Sequence, residues 1–389
     1  DDGPRWQDIS GLQEGDWILI RLGQQQGVLQ PLRHPSREHG NQDWPKLPAV
    51  VDKELAFFLG YLTGDGFVAA GEDDHRVGVS VAQHSYLFAE MPALLNQLFG
   101  VTVHCQQKQN DKSATFVMDN RAVKEFLQLN GLDKPRSRDA FVPRLIRQSP
   151  PEVVGAYLRG LLEADGAVSH GYPQLTTTSP RLAEEVATLM MGLGCPVRVW
   201  SLAPGVNHYG KASVYHVRIE SSVGLQAWRE HIGCDPRSRF AACHSWESDQ
   251  RRESSYVLPY PRYWLQPVLD AITLEQVDKK GRSQGRKFRS VNPHLRHNLL
   301  RYLRGDRNLT RSTYDELRRV HPEFAGNDRS PENWWFVQVS GVEAAGESPT
   351  LDLEVDETHT YLAYGMVTHN TRRGANMSVL RVDHPDIEA

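Results

Sequence analysis

A disulfide framework, a membrane span and a signal peptide are all missing from the sequence, and each absence narrows what the chain can be. Its four cysteines, at 105, 195, 234 and 243, form no Cys-x-x-Cys pair. Cysteines so few and so scattered point to a reducing cytoplasm. No apolar run approaches the ~18 residues a spanning helix needs. With 39% hydrophobic and 24% charged residues, the chain reads as soluble and globular. The opening Asp1-Asp2-Gly3-Pro4 has no initiator Met, no basic n-region and no apolar h-region. The expectation from this opening is no signal peptide, and a processed chain or a piece of a longer one. At 389 residues, two to four domains are expected.

Charge is unevenly spread. The formal net charge is -4, yet between Lys279 and Arg319 thirteen Lys and Arg face three acids, which leaves +10 there and -14 elsewhere. The basic residues interleave with an apolar helical pattern, Leu295, Leu299, Leu300 and Leu303, then Leu309, Tyr314 and Leu317. Gly305 and Asn308 interrupt it, and Thr310 restarts it with N-cap chemistry. Two short amphipathic helices joined by a turn suit either a solvated face or a small DNA-binding accessory unit. In the second case Lys279, Lys280, Arg286, Lys287, Arg289, Arg301, Arg304 and Arg311 would neutralise phosphates.

A repeat fills the middle of the chain. Phe58-Leu-Gly-Tyr-Leu-Thr-Gly-Asp-Gly66 recurs 100 residues later as Leu158-Arg-Gly-Leu-Leu-Glu-Ala-Asp-Gly166. Each copy predicts a helix ending at Asp-Gly, then two strands, a helix (Ser85 to Phe99; Pro180 to Leu193), two more strands and a last helix (Ala122 to Leu129; Ser222 to His231). Duplicated α-β-β-α-β-β-α units imply a pseudo-two-fold α+β domain with two sheets and a central helix pair.

Gly60 and Gly64 lie four apart on one helix face, as do Gly160 and Ala164. Small residues at that spacing let helices meet backbone to backbone. A helix interior loses about 1 kcal/mol per Gly relative to Ala, so the spacing needs a compensating reason. Asp65 and Asp165 fall at the helix C-termini, each followed by a Gly suited to the left-handed position. An anion there opposes the helix dipole. Packing the helices together brings the carboxylates close, which suits divalent metal ions such as Mg²⁺.

These paired nonapeptides resemble the motifs of the LAGLIDADG (DOD-type) homing endonucleases. The resemblance implies that Asp65 and Asp165 are catalytic and bind Mg²⁺, and that each metal-activated water attacks one strand of a long double-stranded DNA site. It also implies that the two sheets read the major groove. The candidate contacts are Arg76, Gln83, Gln107 and Lys108 in the first repeat, and Gln174, Arg198, Lys211 and Arg218 in the second. The family commonly carries a Lys shortly before an Ile-Pro that polarises active-site water. The matching stretch, Ser137-Arg-Asp-Ala-Phe-Val-Pro143, has Ala140 at that place. In the second half, Asp235-Pro-Arg-Ser-Arg-Phe240 offers Arg rather than Lys.

The C-terminal region carries a second constellation. Trp334 to Val342 and Thr350 to Val355 read as strands, and Asp352, His359, His369, Asn370 and Thr371 stand at distinctive spacings. The stretch resembles the C-terminal splicing motifs of an intein. There the two His handle protons, Asn370 cyclises and Thr371 is the hydroxyl nucleophile. Upstream, Ile9-Ser-Gly-Leu-Gln-Glu-Gly-Asp-Trp-Ile-Leu-Ile20 resembles the strand and turn that hand over to the endonuclease. An initial Cys or Ser and a Thr-x-x-His element are absent. The expectation is an N-terminally truncated fragment, unable to splice until the missing N-terminal half of the intein and its extein is supplied. Thr371 to Ile387 resembles an internal segment of the adenosylcobalamin-dependent (class II) ribonucleotide reductases, whose cobalamin this fragment would not bind.

Together these readings give five segments: 1–48, a remnant of an all-β Hint-type splicing domain; 49–250, the endonuclease, with repeats 49–149 and 150–250; 251–332, a basic helical accessory region; 333–370, the splicing terminus; and 371–389, the C-extein. The expected function is site-specific DNA cleavage by an intein insert, acting as a cytoplasmic monomer with no membrane partner, within a ribonucleoside-diphosphate reductase precursor. Two alternatives compete: a decayed endonuclease kept as a DNA-binding or structural insert, which Ala140 favours, and a splicing-only element.

Overall fold

Side-chain caps fix where the helices start. The Asp52 carboxylate accepts from the Leu55 N–H at 2.9 Å, and the Ser179 hydroxyl accepts from the Leu182 N–H at 3.1 Å. The computed structural model describes residues 5–36, 44–107, 111–134, 136–206, 212–244, 256–277, 283–288, 293–324, 329–344, 346, 355 and 360–369, with backbone alone at 271–277, 283–288, 293 and 323. They divide into two compact units, Leu22–Ser248 and Asp1–Arg21 with Asp249–Ile387.

A first strand, β1 (Trp17–Arg21), precedes the repeats. The first half then runs α1 (Lys53–Asp65), β2 (Gly66–Val68), β3 (Arg76–Ala82), α2 (Leu87–Phe99), β4 (Val103–Gln106), β5 (Ser113–Asp119) and α3 (Arg121–Leu129). A short α4 (Arg144–Arg147) links it to α5 (Pro151–Asp165), β6 (Gly166–Ser169), β7 (Tyr172–Thr177), α6 (Pro180–Gly192), β8 (Val197–Leu202), β9 (Val214–Ile219) and α7 (Ser221–His231), with α8 (Ala241–His244) after it. Each half is thus α-β-β-α-β-β-α. The two antiparallel sheets have matching orders, β2-β3-β5-β4 and β6-β7-β9-β8. Val77, Val79, Val81, Phe116 and Met118 of the first sheet, with Leu175, Val217 and Ile219 of the second, pack into one core with α1 and α5.

The helix pair meets backbone to backbone. The Tyr157 carbonyl oxygen stands where a β-carbon on Gly60 would go, and the Phe57 carbonyl oxygen does the same at Gly160. The glycines after the aspartates act differently from expectation. Gly66 (φ -107°) and Gly166 (φ -86°) are extended, not left-handed, because the chain passes straight from helix into strand. What excludes a side chain is close approach: a β-carbon on Gly66 would lie 2.6 Å from the Leu62 carbonyl oxygen, and one on Gly166 would lie 2.9 Å from Phe240.

In the other unit, α9 (Pro261–Ile272) is followed by β10 (Thr273–Val277), β11 (Ser283–Phe288), α10 (Pro293–Leu303), α11 (Arg311–Val320), β12 (Trp334–Gln338), β13 (Thr360–Ala363) and β14 (Met366–His369). The basic region is therefore not wholly helical. Thr273–Val277 and Ser283–Phe288 form a two-stranded antiparallel ribbon, whose short polar alternation gives no apolar stripe to recognise. The strand at the start of the chain joins strands from its end in one sheet, β12-β1-β14-β13. Trp17 pairs with Gln338, Arg21 with Trp334, and Ile20 with Met366. Trp264 anchors an aromatic cluster with Tyr314, Trp334 and Phe336. Among the described residues no helix is long and apolar enough to cross a membrane.

Candidate active site

Because α1 and α5 touch along their small-residue faces, their C-terminal ends coincide. A β-carbon on Gly64 would stand 2.5 Å from Ala164 Cβ and 3.2 Å from Asp165 Oδ2, so the Asp165 carboxylate lies against the backbone one residue before Asp65. Both aspartates reach solvent, yet the protein atoms crowded around the helix ends strip part of their hydration. That desolvation raises the proton affinity of each carboxyl. Asp165 is pushed up to about 6, first by desolvation and then by the neighbouring Asp65 charge, with Lys134 and Arg239 opposing. Asp65 moves in the same direction for the first of those reasons, against the same two cations.

Lys134 is a site residue that no motif in the sequence marks. Its Nζ donates to the Gly64 carbonyl oxygen, and its own pKa is lowered by desolvation against the pull of Asp165 and Asp65. The motif places the expected lysine at Ala140, but Ala140 is buried in the core, where its carbonyl accepts from the Ser179 hydroxyl at 2.6 Å. The lysine comes instead from the irregular segment six residues earlier. On the second half, Arg239 donates to the Gly166 carbonyl at 2.9 Å and to the Glu163 carbonyl at 2.5 Å. The site thus holds two acids and two bases, one base from each half.

Glu163 lies behind the site. It is buried, and burial raises its pKa against hydrogen bonds from Ser238 and Tyr86 and the charge of Arg239. Among the described residues, no group of three or more His, Cys, Asp or Glu gathers to hold a metal ion. What the helix ends bring together is a pair of carboxylates, hard oxygen donors open to solvent.

The candidate DNA contacts fall into distinct situations. Arg198 and Arg218 are cross-strand partners, and Gln174 is the next partner along. Arg76 instead forms a bidentate pair with Asp74 at the edge of β3, at 2.8 and 2.6 Å. Gln83 follows β3 and donates weakly to the Asp111 carbonyl, and Gln107 is exposed after β4. Arg301 and Arg304 lie on or just after α10, and Arg311 pairs with Asp315 one turn along α11. Arg286 and Lys287 fall in β11, described by backbone alone. Lys108, Lys211, Lys279, Lys280 and Arg289 lie outside the described residues, as do Asp352, His359, Asn370, Thr371 and all that follows. His369 ends β14, its ring centroid 5.0 Å from that of Trp6.

Residues 52–131 and 152–233 of the chain each match the family model of the LAGLIDADG-like domain. Among curated proteins, it is 24% identical over 393 residues to the replicative DNA helicase DnaB of Rhodothermus marinus, covering 94% of this chain and 37% of that protein. It is 22% identical over 273 residues to the replication factor C small subunit of Methanocaldococcus jannaschii (70% and 13%). With the protein RecA of Mycobacterium bovis it shares 25% over 359 residues (86% and 44%). The chain spans less than half the length of each of these relatives. Similar solved structures include mesophilic variants of the homing endonuclease I-DmoI, at 15% identity and a TM-score of 0.36, covering 49% of this chain and 98% of that one. I-DmoI in complex with DNA and Mn is similar at 18% identity and a TM-score of 0.33 (47% and 97%).

Proposed function

We propose that the duplicated unit is a metal-dependent endonuclease that cuts both strands of a DNA duplex. One observation carries this reading: Asp65 and Asp165 converge at the ends of two helices in backbone contact, each raised in proton affinity, beside Lys134 and Arg239. Carboxylates placed where the helix dipoles disfavour them are poor for stability and good for a divalent cation. The donors fit Mg²⁺, which takes one or two carboxylates and leaves positions for water and phosphate oxygens. Asp65 and Asp165 would hold it, and when bound it supplies an activated water and neutralises phosphate charge. Lys134, with its lowered pKa, can hold or pass a proton beside the carboxylates. Arg239 offers a planar fork of donors that can orient a phosphate.

The test is Mg²⁺-dependent double-strand cleavage of an intein-free ribonucleotide reductase gene around the codon for Thr371. Asp65→Asn and Asp165→Asn should bind the duplex without cutting it. If the unsubstituted chain binds that duplex as its variants do and leaves it intact, the decayed-endonuclease reading takes over. Lys134 weighs against decay, since a lysine is in place although Ala140 is not one.

The flanking unit supports a second, wider reading, that the endonuclease is carried by a protein-splicing element. Strands from before and after the repeats share one sheet, as an inserted domain requires. A replicative helicase, a replication factor and RecA are different proteins, yet each matches this chain over part of its own length, as hosts of one inserted element would. The Hint-type fold, the roles of His359, His369, Asn370 and Thr371, and the reductase host rest on the sequence resemblance. A separate polypeptide carrying N-terminal splicing strands should provoke cleavage after Asn370, and Asn370→Ala should block it.

A further inference from the structure

The two sheets have the same topology but unequal outer faces. Their registers can be superposed, because Gly66 pairs with Val79 and Val79 with Phe116, as Gly166 pairs with Leu175 and Leu175 with Val217. One row across the first sheet is Phe67, Gly78, Val117 and His104. The same row across the second is Ala167, Gln174, Arg218 and Arg198. On the central strands β3, β5, β7 and β9 the neighbouring residues face the core, so both rows belong to the opposite face.

The first row is apolar at its centre. A β-carbon on Gly78 would lie 2.6 Å from Phe67 Cε1 and 2.9 Å from its Cζ, so the aromatic ring lies across β3 where a side chain would otherwise be. The ring keeps 36% of its exposure, too much for a core residue, and Val117 beside it is buried. The second row is basic and braced. Trp200 stacks on His216 with centroids 4.9 Å apart and planes at 26°. The Arg218 and Arg198 guanidinium groups sit 5.3 and 5.9 Å from the Trp200 ring. Glu220 anchors Arg218 at 2.8 Å, and His216 bonds Thr176 and Gln174. Burial lowers the His216 pKa, which favours the uncharged ring. The Gln174 carboxamide is turned inward: its nitrogen meets His216 and Thr176, and its oxygen is buried with no hydrogen-bond partner among the described residues.

We propose that the two faces read the two halves of one DNA site by different chemistry, the first through thymine methyls against Phe67, the second through guanine edges bound by Arg198 and Arg218. This rests on the endonuclease reading and deepens it. An apolar ring presented to the major groove has one apolar base-edge partner, the C5 methyl of thymine. Guanidinium forks match guanine O6 and N7. The side chains bracing Arg218 leave it little rotational freedom to lose on binding.

The test begins with the full chain and a randomised duplex library, with Ca²⁺ replacing Mg²⁺ to keep the DNA whole, and sequencing of the bound pool. Expected is a site with preferred thymines in one half and preferred guanines in the other. Deoxyuridine in place of those thymines, which removes only the methyl, should weaken binding by about three- to tenfold. 7-Deazaguanine should act likewise in the other half alone. Phe67→Ala should erase the deoxyuridine effect and spare the 7-deazaguanine effect, Phe67→Leu should preserve both, and Arg198→Ala with Arg218→Ala should do the reverse of Phe67→Ala. Tolerance of deoxyuridine throughout the site, or a thymine preference that survives Phe67→Ala, overturns the proposal. Should the unsubstituted chain select no DNA at all, the endonuclease reading falls first and this one with it.

Discussion

The Tyr157 carbonyl oxygen stands in the place of a β-carbon on Gly60. That single approach, mirrored by Phe57 at Gly160, holds α1 against α5 closely enough for their last residues to form one site. Gly60→Ala and Gly160→Ala must push two backbones apart, and each is expected to destabilise the protein by about 1–3 kcal/mol or more in urea unfolding. Gly341→Ala, with open space around it, should stay within about 0.5 kcal/mol. Equal effects at all three positions would show that the approach is not what holds the helices.

The carboxyl pair makes stability pH-dependent when metal is chelated. A carboxyl whose folded pKa is raised stabilises the fold when protonated, fully below its unfolded value of 3.8, and loses that contribution as pH rises through about 6. Asp165→Asn should therefore stabilise the EDTA-treated protein at pH 7.5 and change little near pH 4. After a discount for the solvent that reaches the group, the gain is about 1–2 kcal/mol. A variant with unchanged stability at pH 7.5 would mean the carboxylates do not strain the fold.

Lys134 should matter to rate and little to binding. Lys134→Met is expected to lower DNA cleavage by about 10²-fold or more with affinity kept within a few-fold. Lys134→Arg keeps the charge and loses the usable proton, so it should recover binding but only part of the rate, with an altered pH profile. Full activity in Lys134→Met would leave Lys134 a purely structural tie to Gly64.

Arg76 and Arg198 are equal candidates in the sequence and should behave unequally. Arg76 is already paired with Asp74, whereas Arg198 is exposed beside Trp200. Arg198→Ala should weaken DNA binding by about 1–3 kcal/mol and relax the base preference in its half of the site, and Arg76→Ala should leave both unchanged. The opposite result would move the basic contact surface to the first sheet.

Much of the fold is legible in the sequence because it is local or periodic. The two nonapeptides announce the helix pair, since glycine at i and i+4 inside an apolar helix has a single economical use, close packing. The alternation Val77, Val79, Val81 shows a strand with a core face, and the positions of Asp65 and Asp165 follow from the helix ends. The glycines after them serve a different purpose from the one their place suggests, because a helix entering a strand directly and one ending in a left-handed turn share the same Asp-Gly.

What the sequence by itself determined is therefore the duplication, the helix contact and the two acids, all set by short-range patterns of residue size and polarity. Only the tertiary structure decided which base joins them. Lys134 lies in a segment with no period, 70 residues from the carbonyl it meets, and nothing local distinguishes it from its neighbours. The contrast between Phe67 over Gly78 and Arg218 beside Arg198 was likewise out of reach, because cross-strand rows depend on register, and register is fixed by pairing between distant strands.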